Sequence, residues 1–227
     1  TAVRTGDLKM ASHYFQKAVD TQPGNTDARL GLSITKVATG NRNDAIEDLE
    51  RAVEDAPDFI KGLYALLALH MRDKEFDKAL DVAKKLRLAE PDSPNPSIAE
   101  GLAYSGKESW KEALGAFNHA REIAPGHIGA AFGAADAYLK MGDTNAPREI
   151  YDEILKTKPG HTTTLMRYVG LTRQLGQIEE SNKFVDRAIA ANPTAVAPRV
   201  IAAQTLIESN QHLKALSLIQ DVANPSR

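Results

Sequence analysis

Residues 94–127 read PNPSIAEGLAYSGKESWKEALGAFNHAREIAPGH, and the next 34, residues 128–161, read IGAAFGAADAYLKMGDTNAPREIYDEILKTKPGH. Both close on Pro-Gly-His, and the proline of that ending belongs to a series, Pro23, Pro57, Pro91, Pro125, Pro159 and Pro193, spaced by 34 residues without insertion or deletion. A fixed period of this length marks a chain built from one repeated supersecondary unit. With those prolines at position 32 of the frame, position 20 reads Ala11, Ala45, Ala79, Ala113, Pro147, Ser181 and Ala215. Position 24 reads Phe15, Leu49, Ala83, Phe117, Tyr151, Val185 and Ile219, and position 27 reads Ala18, Ala52, Leu86, Ala120, Ile154, Ala188 and Val222. Glycine stands at position 15 in Gly6, Gly40, Gly142 and Gly176.

Each column has a physical reading as part of a helical hairpin. Glycine at position 15 closes a first helix in the left-handed conformation. Positions 20, 24 and 27 are spaced i, i+4, i+7 and form one face of a second helix. Small residues at 20 and 27 admit the neighbouring helix, and the larger residue at 24 fills the space between. Proline at 32 stops the second helix, because it lacks an N–H and disfavours a helical conformation just before it. Neither helix could bury its apolar face alone, so the hairpins must stack.

These columns resemble the tetratricopeptide repeat, and the resemblance runs the length of the chain. It implies an all-α, right-handed superhelical solenoid of antiparallel helix pairs, with first helices on the concave side. The expected division is a single array over residues 1–227: a partial repeat 1–25, full repeats 26–59, 60–93, 94–127, 128–161 and 162–195, and a last repeat 196–227. Pro147 departs from the alanine column, but Asp143-Thr144-Asn145 before it can cap a helix, which puts the proline in a first turn. Pro91, Pro94 and Pro96 stiffen the entry to the fourth repeat.

Little in the sequence points to catalysis. Gly101 to Lys107 matches the start of a phosphate-binding loop, yet Glu108 stands where Ser or Thr would ligate Mg²⁺ and no strand precedes it. The histidines, His13, His70, His119, His127, His161 and His212, form no metal-binding pair, and the chain has no cysteine. No catalytic residue, metal or cofactor is therefore expected. Residues 26–59 carry a charge of −4, read as the solvated face of a second helix. With 28 Lys+Arg against 30 Asp+Glu, the whole chain offers no positive field for nucleic acid. Its longest apolar run, Gly62 to Leu69, is too short to span a bilayer.

The resemblance assigns partner contact to the first helices. Position 5 is an apolar column of Leu30, Tyr64, Ile98, Phe132, Met166 and Val200. Position 9 reads Ile34, Ala68, Leu102, Asp136, Gly170 and Gln204, and position 12 reads Val37, Met71, Ser105, Leu139, Arg173 and Ile207. The Lys and Asn with which chaperone adaptors of the family clamp a carboxylate are absent from positions 5 and 9. The expected site is an apolar groove around Leu30, Tyr64, Ile98, Phe132 and Met166, with Asp136, Arg167 and Arg173 as its charged flank, accepting a segment of another protein. The opposing expectation is that the position 5 side chains pack against neighbouring repeats.

The texture of stretches such as Gly6 to Val19 and Ala188 to Arg199 resembles the tetratricopeptide lipoproteins of bacterial PEP-CTERM/exosortase systems. That resemblance implies a scaffold in envelope export or exopolysaccharide and protein sorting, periplasmic and held by a lipid anchor upstream of Thr1. The cytoplasm is the alternative location. The alternative function is a substrate-recruiting region of a larger enzyme. Ile201, Leu206, Ile207, Leu213 and Leu216 supply apolar surface through which two copies are expected to associate.

Overall fold

The computed structural model describes residues 8–223, with side chains through Ile219, so Gly6 and Val222 of the aligned columns lie outside what can be compared. Among the described residues there are thirteen α-helices and no strand. The second helices are α1 (Leu8–Thr21), α3 (Arg42–Asp55), α5 (Phe76–Ala89), α7 (Trp110–Ile123), α9 (Asn145–Thr157), α11 (Ile178–Ala191) and α13 (His212–Ala223). The first helices are α2 (Thr26–Ala38), α4 (Ile60–Arg72), α6 (Asn95–Gly106), α8 (Ile128–Lys140), α10 (Thr162–Gln174) and α12 (Val196–Glu208). Each second helix from α1 to α11 stops two residues before its position 32 proline, where the restriction on the residue preceding proline takes effect.

The helices group into two compact units, Thr1–Ala137 and Tyr138–Arg227, with the boundary inside α8. In the first unit, successive helices from α1 to α7 pack on one another and α2 also touches α4. In the second, α9 packs on α10, α10 on α11, α11 on α12 and α12 on α13. Position 24 forms the centre of both cores: Leu49, Phe117, Tyr151 and Val185 are each 1% exposed. Burying side chains of this size contributes about 1.5–3 kcal/mol apiece.

The two cores use their aromatic rings differently. Phe117 lies in a cleft between glycines, for a Cβ at Gly101 would come within 2.7 Å of its ring and one at Gly133 within 2.4 Å. The phosphate-loop glycine is thus a packing glycine. In the second unit the Tyr168 ring stacks on Phe184 at 4.0 Å between centroids and meets Tyr151 at 5.6 Å. The Arg148 guanidinium stands 6.0 Å from the Tyr168 centroid and also pairs with Glu180.

Every hairpin turn among the described residues closes in one way. Gly40, Lys74, Glu108, Gly142, Gly176 and Asn210, all at position 15, have positive φ between 59° and 89°. The residue after each donates its N–H to the carbonyl five residues back, from Asn41 to Lys36 and from Gln211 to Leu206, at 2.8–2.9 Å. This is the Schellman closure, which satisfies a helix-end carbonyl and requires the left-handed residue. Glycine fills that position in three of the six turns, so the hydrogen bonds impose the geometry on Lys74, Glu108 and Asn210 as well.

Helix starts follow the same economy of parts. The Asn25 side chain accepts from the Ala28 N–H at 2.9 Å. His127 and His161, at the equivalent place, accept through Nδ1 from the N–H groups of Ala130 at 3.1 Å and Thr164 at 3.3 Å. The paired histidines are caps. Pro147 is the third residue of α9, and the Asp143 carboxylate accepts from Asn145 and Ala146 just before it. The acidic helix α3 is more than a solvated face: Asp48 pairs with Lys36 and Asp55 with Arg29, tying it to α2.

Candidate partner-binding surface

A first helix packed on its hairpin mate leaves one stripe outward, and position 9 marks it. All six side chains or glycines there are exposed, from Ile34 to Gln204. At position 5, Leu30, Tyr64, Ile98, Phe132 and Met166 are half-buried and Val200 is exposed. The position 5 column therefore both packs and contributes to surface, and each member has its own surroundings.

In the first unit, Leu30, Ile34 and Val37 of α2 face Ala65, Ala68 and Leu69 of α4 across an apolar pocket of about 180 Å³, floored by Leu49. Ser33 reaches its wall, but its hydroxyl donates to the Arg29 carbonyl at 2.9 Å, so the pocket presents no free polar group from that side chain. Tyr64, on the same helix α4, is directed elsewhere: its hydroxyl donates to Glu90 Oε2 at 2.6 Å. Burial first, and then Glu90, raises its pKa above the ordinary tyrosine value. Ile98 lies on α6, and Phe132 and exposed Asp136 lie on α8 within the same unit.

In the second unit, Met166, Arg167 and Arg173 are half-buried on α10. Arg173 Nη2 donates to the Thr205 hydroxyl of α12 at 2.8 Å. Thr205 in turn donates to the Ile201 carbonyl at 3.1 Å. The guanidinium expected to flank a groove is engaged in joining two first helices. The repeat register carries Val37 onto Arg173 and Leu69 onto Thr205, so this bridge crosses the place that the apolar pocket occupies between α2 and α4.

Among the expected residues, then, Leu30 alone lines the pocket. The rest of its lining is Ser33, Ile34, Val37, Leu49, Ala65, Ala68 and Leu69. The sequence signal for it was the pair Ile34 and Ala68, successive apolar members of the exposed position 9 column. Among the described residues, no three His, Asp or Glu are grouped to hold a metal ion. No described helix is long and apolar enough to cross a membrane.

Comparison with known proteins agrees with the hairpin geometry. The tetratricopeptide-repeat family profile matches residues 2–66. A tetratricopeptide repeat protein from Parabacteroides merdae superposes with a TM-score of 0.68 at 16% identity, over 98% of this chain and 88% of that one. The fold is the tetratricopeptide repeat. Two further tetratricopeptide-like solved structures are MamA from Desulfovibrio magneticus, with a TM-score of 0.60, 18% identity and coverage of 70% and 90%, and pilF of Pseudomonas aeruginosa, with 0.63, 15%, 89% and 92%. A bovine relative, the BBSome complex member BBS4, is 28% identical over 120 residues, 53% of this chain. The matched part spans 23% of that relative's length.

Proposed function

We propose that the chain is a non-catalytic interaction scaffold that seats an apolar side chain of a partner protein in the α2–α4 pocket. The observation that carries this is the pocket itself: two adjacent first helices leave an open, apolar-walled space of about 180 Å³ on their exposed stripe. Repeat solenoids offer such surfaces without a catalytic cavity, and helix-lined apolar grooves recognise peptide segments through a few anchoring side chains. The sequence resemblance to envelope-sorting lipoproteins supports a place for this scaffold in bacterial envelope export, on the periplasmic side.

The test is a photo-crosslinking residue placed at Ile34 and at Ala68 in the source cells, followed by identification of the captured segment. That segment, made as a synthetic peptide, is expected to lose at least about tenfold in affinity for the Ile34→Glu protein. Affinities within about twofold of the parent for both Ile34→Glu and Ala68→Glu would show that the pocket is not the seat. Fractionation of the cells places the protein in periplasm or cytoplasm independently.

A further inference from the structure

A different face of α4, turned away from the α2–α4 pocket, borders a space of about 330 Å³ between α3, α4 and α5. Leu63, Leu66 and His70, at i, i+3 and i+7 of α4, form its floor, and Val53 and Val82 add apolar wall. The His70 side chain is 2% exposed. Its Nδ1 lies 2.8 Å from Glu75 Oε2, and Lys78 Nζ donates to the other oxygen of that carboxylate at 3.1 Å. These two bonds, His70 first, hold the Glu75 pKa below the ordinary carboxylate value, so Glu75 accepts and Nδ1 carries the hydrogen. The neutral ring keeps its lone pair at Nε2, the edge that faces the pocket. Across from it stands Glu50 Oε1 at 4.0 Å, too far for a hydrogen bond and, as a carboxylate, with no proton to give. Two acceptors thus face one another, and the buried one has no donor.

The same place one repeat earlier shows what such a pocket holds. There a space of about 210 Å³ is lined by Arg29, Leu32 and Lys36 of α2, the equivalents of Leu63, Leu66 and His70. Its cations come from within the chain: Lys36 pairs with Asp48 and Arg29 with Asp55. In the pocket between α3, α4 and α5 both floor cations are gone, while Glu50 and Glu54, one turn apart on α3, stand in place of Gln16 and Asp20. Neither is paired with Lys or Arg; Lys78 pairs with Glu75, Lys84 with Asp81 and Arg51 with Glu47. We propose that this pocket binds a primary ammonium carried on an apolar stem, its nitrogen seated between His70 Nε2 and Glu50. A nitrogen about 2.9 Å from both acceptors donates to them at an angle of about 90°, within the reach of an ammonium's N–H bonds. Glu50 and Glu54 supply the opposing charge, and the Leu and Val side chains receive the methylenes. Lys85 of α5 also lines the pocket and opposes a bound cation.

Imidazole nitrogen NMR of the 227-residue chain, titrated with n-pentylammonium chloride, tests this. The His70 Nε2 resonance is expected to shift saturably, with half-saturation below about 10 mM. Tetramethylammonium chloride, a cation without an N–H, is expected to leave it in place. Glu50→Gln keeps the shape but turns an amide N–H towards Nε2, and is expected to weaken binding at least about tenfold. Lys85→Gln is expected to strengthen it by about twofold or more. Helical circular dichroism checks that the variants are folded, and Glu54→Gln, at an exposed side chain, repeats the first test should Glu50→Gln lose helix. A blocked Gly-Gly-Lys-Gly-Gly peptide that binds as tightly as n-pentylammonium assigns the ammonium to a partner protein's lysine; one that binds more weakly assigns it to a free alkylamine. Equal shifts with the two salts, or no saturation by about 100 mM, overturn the proposal and leave a pocket filled by water. So does a folded Glu50→Gln protein that binds like the parent.

Discussion

The seat between α2 and α4 and the seat between α10 and α12 occupy the same register, four periods apart, yet their chemistry is opposite. The first is walled by Leu30, Ile34, Val37, Ala65, Ala68 and Leu69. The second holds Met166, Gly170, Arg173, Ile201, Gln204 and Thr205 at those places, and is crossed by the Arg173–Thr205 hydrogen bond. The backbone repeats because the Pro, Ala and left-handed columns repeat. Positions 9 and 12 are free of that constraint and can be given over to recognition. A repeat fold thus separates the residues that shape it from those that distinguish its surfaces.

The cores sharpen the same contrast, and here the largest effect is expected. Phe117→Ala empties a glycine-lined cleft that cannot collapse far, at a cost of about 3–5 kcal/mol in urea unfolding. Phe184→Ala removes one half-buried ring from the Tyr151, Tyr168 and Phe184 group and is expected to cost about half as much. Equal losses would mean that the two units do not differ in how their aromatic packing is distributed.

Exchanging the seats comes next. Val37→Arg with Leu69→Thr installs the polar bridge of the second unit in the first, and is expected to reduce fluorescence-detected binding of an anilinonaphthalene sulfonate dye at least about tenfold. Loss of the buried Leu69 side chain costs about 2 kcal/mol, so the comparison is made where both proteins are folded. Unchanged dye binding would show that the α2–α4 pocket is not an accessible apolar site.

Much of this architecture was legible in the sequence. Proline at position 32 stops a second helix and a glycine at position 15 invites the left-handed turn, so where each helix of a hairpin ends was legible from the columns. The pocket was only partly legible. Column reasoning treats a first helix as one stripe, whereas Ala65 and Leu69 enter the pocket from the adjacent helix, across a distance set by the stacking. Arg173 looked available for a partner because its acceptor, Thr205, lies 32 residues further on. Asp48 and Asp55 looked solvated for the same reason, since their partners Lys36 and Arg29 belong to another helix. Lys74 and Glu108 gave no sign of a left-handed backbone because their own side chains do not cause it.

Alkaline titration separates the units by a smaller margin. Tyr168 has its pKa pushed up to about 12 from 10.0, first by burial and then by Asp152. A raised pKa on a neutral phenol means that the folded state holds the proton more tightly. The contribution is complete below about 10 and is lost as pH rises towards about 12, by on the order of 1–2 kcal/mol. Tyr168→Phe is expected to flatten that part of the stability curve, leaving whatever Tyr64 of the first unit contributes. A curve unchanged by the substitution would exclude Tyr168 as its source.

The smallest effect concerns the turns, where the two units share one geometry and differ in residue. Lys74 and Glu108 in the first unit, and Asn210 in the second, hold φ of 59°. For a residue with a Cβ that conformation costs about 1–2 kcal/mol, and asparagine tolerates it better than lysine or glutamate. Glycine removes the strain but adds entropy to the unfolded chain, so the net gain is smaller than the strain itself. Lys74→Gly and Glu108→Gly are each expected to stabilise by about 0.5–1 kcal/mol, and Asn210→Gly by less. Lys107 next to Glu108 keeps its ion pair with Asp77, and Asp73 next to Lys74 keeps its pair with Arg42, so neither substitution removes a side-chain bond at the neighbouring position. If Lys74→Gly and Glu108→Gly instead destabilise, with Lys74→Ala neutral, the hydrogen-bonded closure carries no strain and the glycine column reflects something other than backbone conformation.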